Sequence, residues 1–291
     1  MNSNNSFRKE GNMSDKILYF VHCVDTEGPL YESLKERFKM INAIYDVNIE
    51  ATQENLIKLQ KKEICLNGKE DAIAKFLSPE RLNLNEDWNC LEQHIDYITQ
   101  DNFRNKYKDD FGEGWIYSWF VLDHVGFNDK NPRRRSLGDH IVYDFYSEKV
   151  GAQGYKDDLQ WHYHPISIKK DANACGTSFL NGANIYEILA KKIIDRYWFP
   201  AVYRPGFHTE RPDMNWFLEQ WIPFDYGNQS INLDENQPDL AYSRFGDWKG
   251  APSDWSVYSP SIYDWRKKGD CKRKIARCLN IGTRIRNIDY C

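Results

Sequence analysis

An alternating α/β architecture, either a (β/α) barrel or a doubly wound sheet, is the fold class this sequence predicts. Two observations carry it. Short apolar runs rich in β-branched and aromatic residues alternate with amphipathic segments. The runs end, one after another, in polar groups: Asp25, then Asp123 and His124, then His162 and His164, then Arg204, then Asp225. That gathering of chemistry at the C-terminal ends of strands is how both architectures present a site.

The elements follow in chain order. Residues 1–15 are polar and read as a disordered tail. Residues 16–25, K-I-L-Y-F-V-H-C-V-D, form the first strand expected, bounded by a charged start and the Gly-Pro pair at 28–29. Residues 51–63 read as an amphipathic helix with Leu56, Ile57 and Leu59 on one face, and Asp87 to Asp101 holds another helix. W-I-Y-S-W-F-V-L, Trp115 to Leu122, is the second strand and Leu159 to His164 the third. Asn184 to Arg196 is the strongest helical pattern, followed by a strand at Tyr197 to Tyr203. Asp213 is placed as the N-cap of a helix running through Trp221, and Ile222 to Asp225 as a fifth strand. From about residue 231 the chain is rich in Asn, Asp, Pro and Trp. It is expected to form an irregular C-terminal cap ending in a basic helix, Trp265 to Leu279. Nothing in the composition breaks 16–291 into two domains, and 291 residues suit one large α/β unit.

Composition narrows the function classes. A net charge of −4 gives no basic footprint, which argues against a nucleic-acid partner, and Arg133-Arg134-Arg135 is too short to change that. The seven cysteines are scattered without a C-x-x-C pair, so they read as reduced thiols of a cytoplasmic protein. The apolar run at Ile17 to Val24 is too short for a membrane span. Aromatics make up 15% of the chain. Such rings fill cores and also stack on sugar faces.

The most informative stretch is Q-W-H-Y-H-P, Gln160 to Pro165. Along a strand, residues i and i+2 share a face, so His162 and His164 can converge on one metal ion. The same period places Asp25 and Glu27 of V-D-T-E-G-P together. Two imidazoles and one carboxylate make an open catalytic site for zinc or a related divalent ion, and the second carboxylate is then available as a general base. A-V-Y-R-P-G-F-H brings Arg204 to a strand end, where it can hold a carboxylate in its charged form, and His208 follows four residues later. P-F-D-Y-G ends a further strand at Asp225 and Tyr226. The alternative readings are capping for Asp25, solvent exposure for Glu27, packing for the histidines and an ordinary salt bridge for Arg204. His22, inside the first strand, reads as a core histidine.

In this order, D-x-E, a histidine pair, R-P-G and F-D-Y-G, the chain resembles the polysaccharide deacetylase family of NodB homology, and in particular members from bacterial surface-polysaccharide biosynthesis clusters. The resemblance spans roughly residues 16–230. It implies a distorted (β/α) barrel of about seven strands, and metal-dependent hydrolysis of an N-acetyl group on a sugar or sugar-containing precursor, with a carbohydrate as the partner. It further implies Asp25 as general base, Glu27, His162 and His164 as ligands of a divalent metal, most often Zn²⁺, and Arg204 as the residue that orients the base. Asp225 and Tyr226 would flank the substrate.

The sequence departs from the family pattern in three respects. The histidines are spaced by two instead of four, Glu stands at 27 where Asp is usual, and the late histidine that serves as general acid has no match. With the longer Glu27, Asp25 itself becomes an alternative ligand. His208 and His124 are the alternative acids, and Asp123 and His124 alternative site groups. Hydrolysis of a cyclic amide and non-catalytic carbohydrate binding are the competing functions.

Overall fold

In a computed structural model, the described residues are 21–26, 28–29, 33–82, 87–122, 140–153, 156–164, 184–206, 212–228, 248, 250–252, 257–269 and 279–282. Six strands are found among them: β1 (His22–Thr26), β2 (Tyr117–Leu122), β3 (Asp158–Tyr163), β4 (Val202–Pro205), β5 (Phe224–Asn228) and β6 (Leu279–Gly282). They form one sheet in the order β1-β2-β3-β4-β5-β6, and every neighbouring pair is parallel.

That order is the decisive topological fact. A doubly wound sheet reverses its strand order at a switch point, whereas here each new strand is added on the same side of the last. With right-handed crossovers, successive connections then fall on one face of the sheet and leave the other face inward, as in a (β/α) barrel. The expectation of a distorted barrel therefore holds at the level of winding, with six parallel strands among the described residues where about seven were expected.

Period-2 alternation assigns the two faces. Tyr117, Trp119 and Val121 of β2 pack with Leu91 and Ile95 of the helix Trp88–Thr99 and with Val142, Tyr143 and Tyr146 of the helix Ile141–Gln153. Trp161 and Tyr163 of β3 and Tyr203 of β4 pack with Ile185 and Leu189 of the helix Asn184–Arg196 and with Met214, Phe217 and Leu218 of the helix Pro212–Trp221. The alternate residues, Phe120, Gln160, His162 and Arg204, are buried on the opposite, inward face. Among the described residues before Trp88, four helices share a core of their own, with Phe38, Ile41, Leu59, Ile73 and Phe76 buried together.

Beneath β2 and β3, Arg104 and Asp157 form an ion pair that is 0% and 2% exposed. Asp157 accepts from both terminal nitrogens of Arg104, from the Tyr117 backbone N–H and from the Trp119 indole, at 2.6 to 3.0 Å. The short helix that ends at Arg104 is thereby fastened to the N-terminal ends of two strands.

Several expected elements shift. The helix read over Asp87 to Asp101 breaks at Gln100, whose ψ of 148° is extended; Asp87 does cap its start, accepting the Cys90 N–H at 2.8 Å. Ile57 turns outward at 48% exposure while Leu59 is buried, because the apolar stripe of Gln53–Gln60 is narrower than the sequence suggested. The strand expected at 197–203 starts at Val202, since Tyr197 takes a left-handed φ of 52° and ends the preceding helix. The helix expected to be capped by Asp213 begins at Pro212, so Asp213 lies inside its first turn. That is a favoured place for proline, whose missing N–H costs nothing there. The fifth strand starts two residues later than expected, at Phe224, with Ile222 fully buried before it.

The largest correction is C-terminal. Residues 265–269 are not helical. They belong to a turn in which Pro260 bridges Lys268, Ser261 N–H donates to the Lys267 carbonyl and Gly269 N–H to that of Ser259. Leu279, the expected helix end, opens β6 and pairs with Phe224. The C-terminal region thus contributes a strand to the sheet.

Candidate functional site

The inward residues nearest the C-terminal ends of β1, β3, β4 and β5 come together because the parallel register aligns them. Asp25 lies opposite Phe120, Leu122 opposite His162, and His162 opposite Arg204. Four of the sequence-predicted residues meet here: Asp25, His162, His164 and Arg204.

The Arg204 side chain is 4% exposed, and its Nε donates to Asp25 Oδ1 at 2.6 Å. Its Nη1 donates to the Tyr226 carbonyl at 3.2 Å. The guanidinium lies 5.8 Å from the centre of the Phe120 ring, which is fully buried, and that ring is in turn 5.9 Å from Tyr226. A buried planar guanidinium tied to a carboxylate and a backbone carbonyl and flanked by the Phe120 ring has little room to swing, so its direction toward Asp25 is fixed. Asp25 is the exposed partner, with its side chain 32% accessible. A substrate or water can therefore reach its carboxylate.

The two histidines are almost fully buried, at 2% and 3% exposure. His162 Nδ1 lies 2.9 Å from the Arg204 backbone carbonyl, which can only accept, so this nitrogen carries the proton. Asp25 Oδ1 lies 4.0 Å from the same nitrogen, beyond hydrogen-bond reach. The His162 Nε2 faces the Nε2 of His164, 3.0 Å away, with the two rings nearly perpendicular at 86°.

His162 thus takes the form of a ligating histidine, with one nitrogen fixed by a carbonyl and the other turned toward its neighbour's. Two imidazole nitrogens bound side by side at 2.0–2.1 Å from one ion are roughly 3 Å apart. The donor pair fits a divalent metal on that measure. Among the described residues no group of three His, Cys, Asp or Glu side chains is gathered to hold an ion. Glu27, expected as the third ligand, lies outside the described residues, as do Asp123, His124 and His208.

Asp225 is placed differently from expectation. It is in register with Tyr203, on the helix-facing side of the sheet, is fully buried, and its Oδ1 accepts the Gly227 N–H at 2.7 Å. It braces the end of β5 and does not face Asp25. Its neighbour Tyr226 takes the inward position instead. His22 packs against Trp115 and Tyr117 at 4.8 and 4.9 Å, and burial lowers its pKa, as suits a core histidine.

Sequence reasoning missed three residues of this site. Phe120 supports Arg204 from below, and the strand period that placed Asp25 would have found it. Cys23 shares the face of Asp25, and burial pushes its thiol up to about 11, which leaves it protonated and unreactive at neutral pH. Gly206, read only as part of a turn, lies directly against the His164 ring.

No protein-family model matches the chain, and neither does any curated protein or solved structure with which it was compared. Among the described residues no helix is long and apolar enough to cross a membrane.

Proposed function

We propose that the chain is a metal-dependent hydrolase that removes the N-acetyl group of a sugar or sugar-containing precursor, in the assembly of a bacterial surface polysaccharide. The observation that carries this reading is the pairing of two converging imidazole nitrogens, 3.0 Å apart, with a carboxylate held at 2.6 Å by a buried arginine. A structural salt bridge would leave the histidines unexplained, and a packed histidine pair would not require an arginine-oriented carboxylate open to solvent.

His162 and His164, with Glu27 as third ligand, would hold the metal. When bound, a divalent ion, Zn²⁺ foremost, supplies Lewis acidity toward the acetamide carbonyl and the attacking water. Asp25 accepts the proton of that water, and Arg204 keeps the accepting oxygen directed into the site. The backbone carbonyl of Arg204 holds the His162 tautomer, so one residue orients both the base and a ligand. The departing amine takes its proton from an acid supplied by His208 or His124. Tyr226, half-buried on the inward face and backed by the buried Phe120 ring, would offer an aromatic surface for the sugar. The protein acts in the cytoplasm on this reading.

The test is acetate release from a panel of N-acetylated sugars by the zinc-loaded protein, beside His162→Ala. The wild type is expected to release acetate and the variant to lose both zinc and turnover. A variant that keeps full activity would sink the assignment.

A further inference from the structure

Gly206 closes the R-P-G segment just beyond β4. Its φ is not among the left-handed values adopted by Gly28, Gly68, Gly112 and Gly250, so its backbone conformation is open to any residue. Its space is not. A Cβ built on it would meet the His164 ring at Cδ2 (2.6 Å) and Nδ1 (2.7 Å) and more closely still at Cγ, whereas one built on Gly151 would meet nothing within 4 Å. Contacts of this length are well inside van der Waals separation, and they fall on the root of the imidazole, which moves only if χ1 or the backbone moves. The ring is 3% exposed and also in edge contact with His162, so it has no free direction in which to retreat.

We propose that Gly206 is a positioning residue: the absence of its side chain lets the His164 imidazole lie against the end of β4 with Nε2 aimed at His162 Nε2. The proposal deepens the metal-site reading above and rests on it. Adding one methyl group pushes the ring by about 1 Å, and a displacement of that size at a metal ligand is large against the roughly 0.5 Å tolerance of a functional constellation. β4 then sets the whole donor array, with the Arg204 carbonyl on His162, the Arg204 guanidinium on Asp25 and the bare Gly206 backbone under His164.

The experiment compares wild type, Gly206→Ala, His164→Ala and the double variant by three readouts. These are the imidazole nitrogen resonances of the metal-free protein at one pH, the thermal midpoint without metal, and the zinc dissociation constant. Gly206→Ala is expected to move the His164 resonances and to weaken zinc binding ten- to hundredfold, the usual effect of disturbing a ligand's support. In the His164→Ala background the same change should alter neither zinc binding nor the midpoint, because the ring it displaces is gone. Unchanged resonances and zinc affinity in Gly206→Ala would overturn the proposal, as would an equal loss of midpoint in both backgrounds. Should Gly206→Ala alone fail to fold, a folded double variant supports the proposal and an unfolded one overturns it. If the wild type takes up no zinc, the metal-site reading fails, while the metal-free resonances and midpoints still decide whether Gly206 acts through His164.

Discussion

Replacing Arg204 by lysine separates the two tasks that this residue combines. The hydrogen bond from Arg204 Nε to Asp25 Oδ1 is 2.6 Å long and made by a side chain 4% exposed, but its acceptor is 32% exposed. A charge-assisted hydrogen bond contributes about 1.5–3 kcal/mol, and partial solvation of Asp25 places this one toward the lower end, near 2 kcal/mol. Lysine keeps the charge and loses the fork that also reaches the Tyr226 carbonyl, so the carboxylate is no longer directed. If Arg204 orients the base, about 2 kcal/mol lost from the transition state lowers kcat roughly thirtyfold. Zinc affinity should hold, because His162 is fixed by the backbone carbonyl, which lysine retains. Single-turnover acetate release and zinc titration on the same preparation check both. A variant that loses zinc in proportion to activity, or keeps the full rate, refutes this division of tasks.

Three further outcomes are expected. Asp157→Ala leaves the Arg104 guanidinium buried without its partner and should cost about 3–5 kcal/mol, lowering the thermal midpoint by roughly 10 °C, while Arg104→Met with Asp157→Leu should cost less. Since burial raises Cys23 to about 11, its thiolate fraction at pH 8 is roughly one thousandth, and mass-mapped alkylation should label the exposed Cys65 well before Cys23. Tyr197, 95% exposed with φ 52°, should gain about 0.5–1 kcal/mol when replaced by glycine, read by chemical denaturation.

The readable parts of this chain were those in which one local rule dominates. Asn184–Arg196 has unbroken helical periodicity and was bounded to the residue. Asp25, His162, His164 and Arg204 were found because parallel strands carry their chemistry to one end and the two-residue period fixes the face. The failures came where tertiary context outweighs local pattern. Asp225 follows an apolar run as Asp25 does, yet β5 enters the sheet in the opposite phase, and register between distant strands is not written in either strand alone. Residues 265–269 share the charge pattern of a helix, but the turn around Pro260 and Lys268 holds them otherwise, and Leu279 pairs beside β5. Gly206 was legible only as a turn residue, because the ring it accommodates arrives from 42 positions earlier in the chain.

The pairing of β6 with β5 also bears on how the chain can be shortened. Without Leu279–Gly282, the backbone N–H and C=O groups of Phe224 to Asn228 would stand along a bare sheet margin next to Tyr226. Unpaired margins of this kind recruit strands from other molecules. A version ending near residue 230 would carry every residue of the proposed site and still be expected to self-associate through β5, so the tail matters to solubility as well as to architecture.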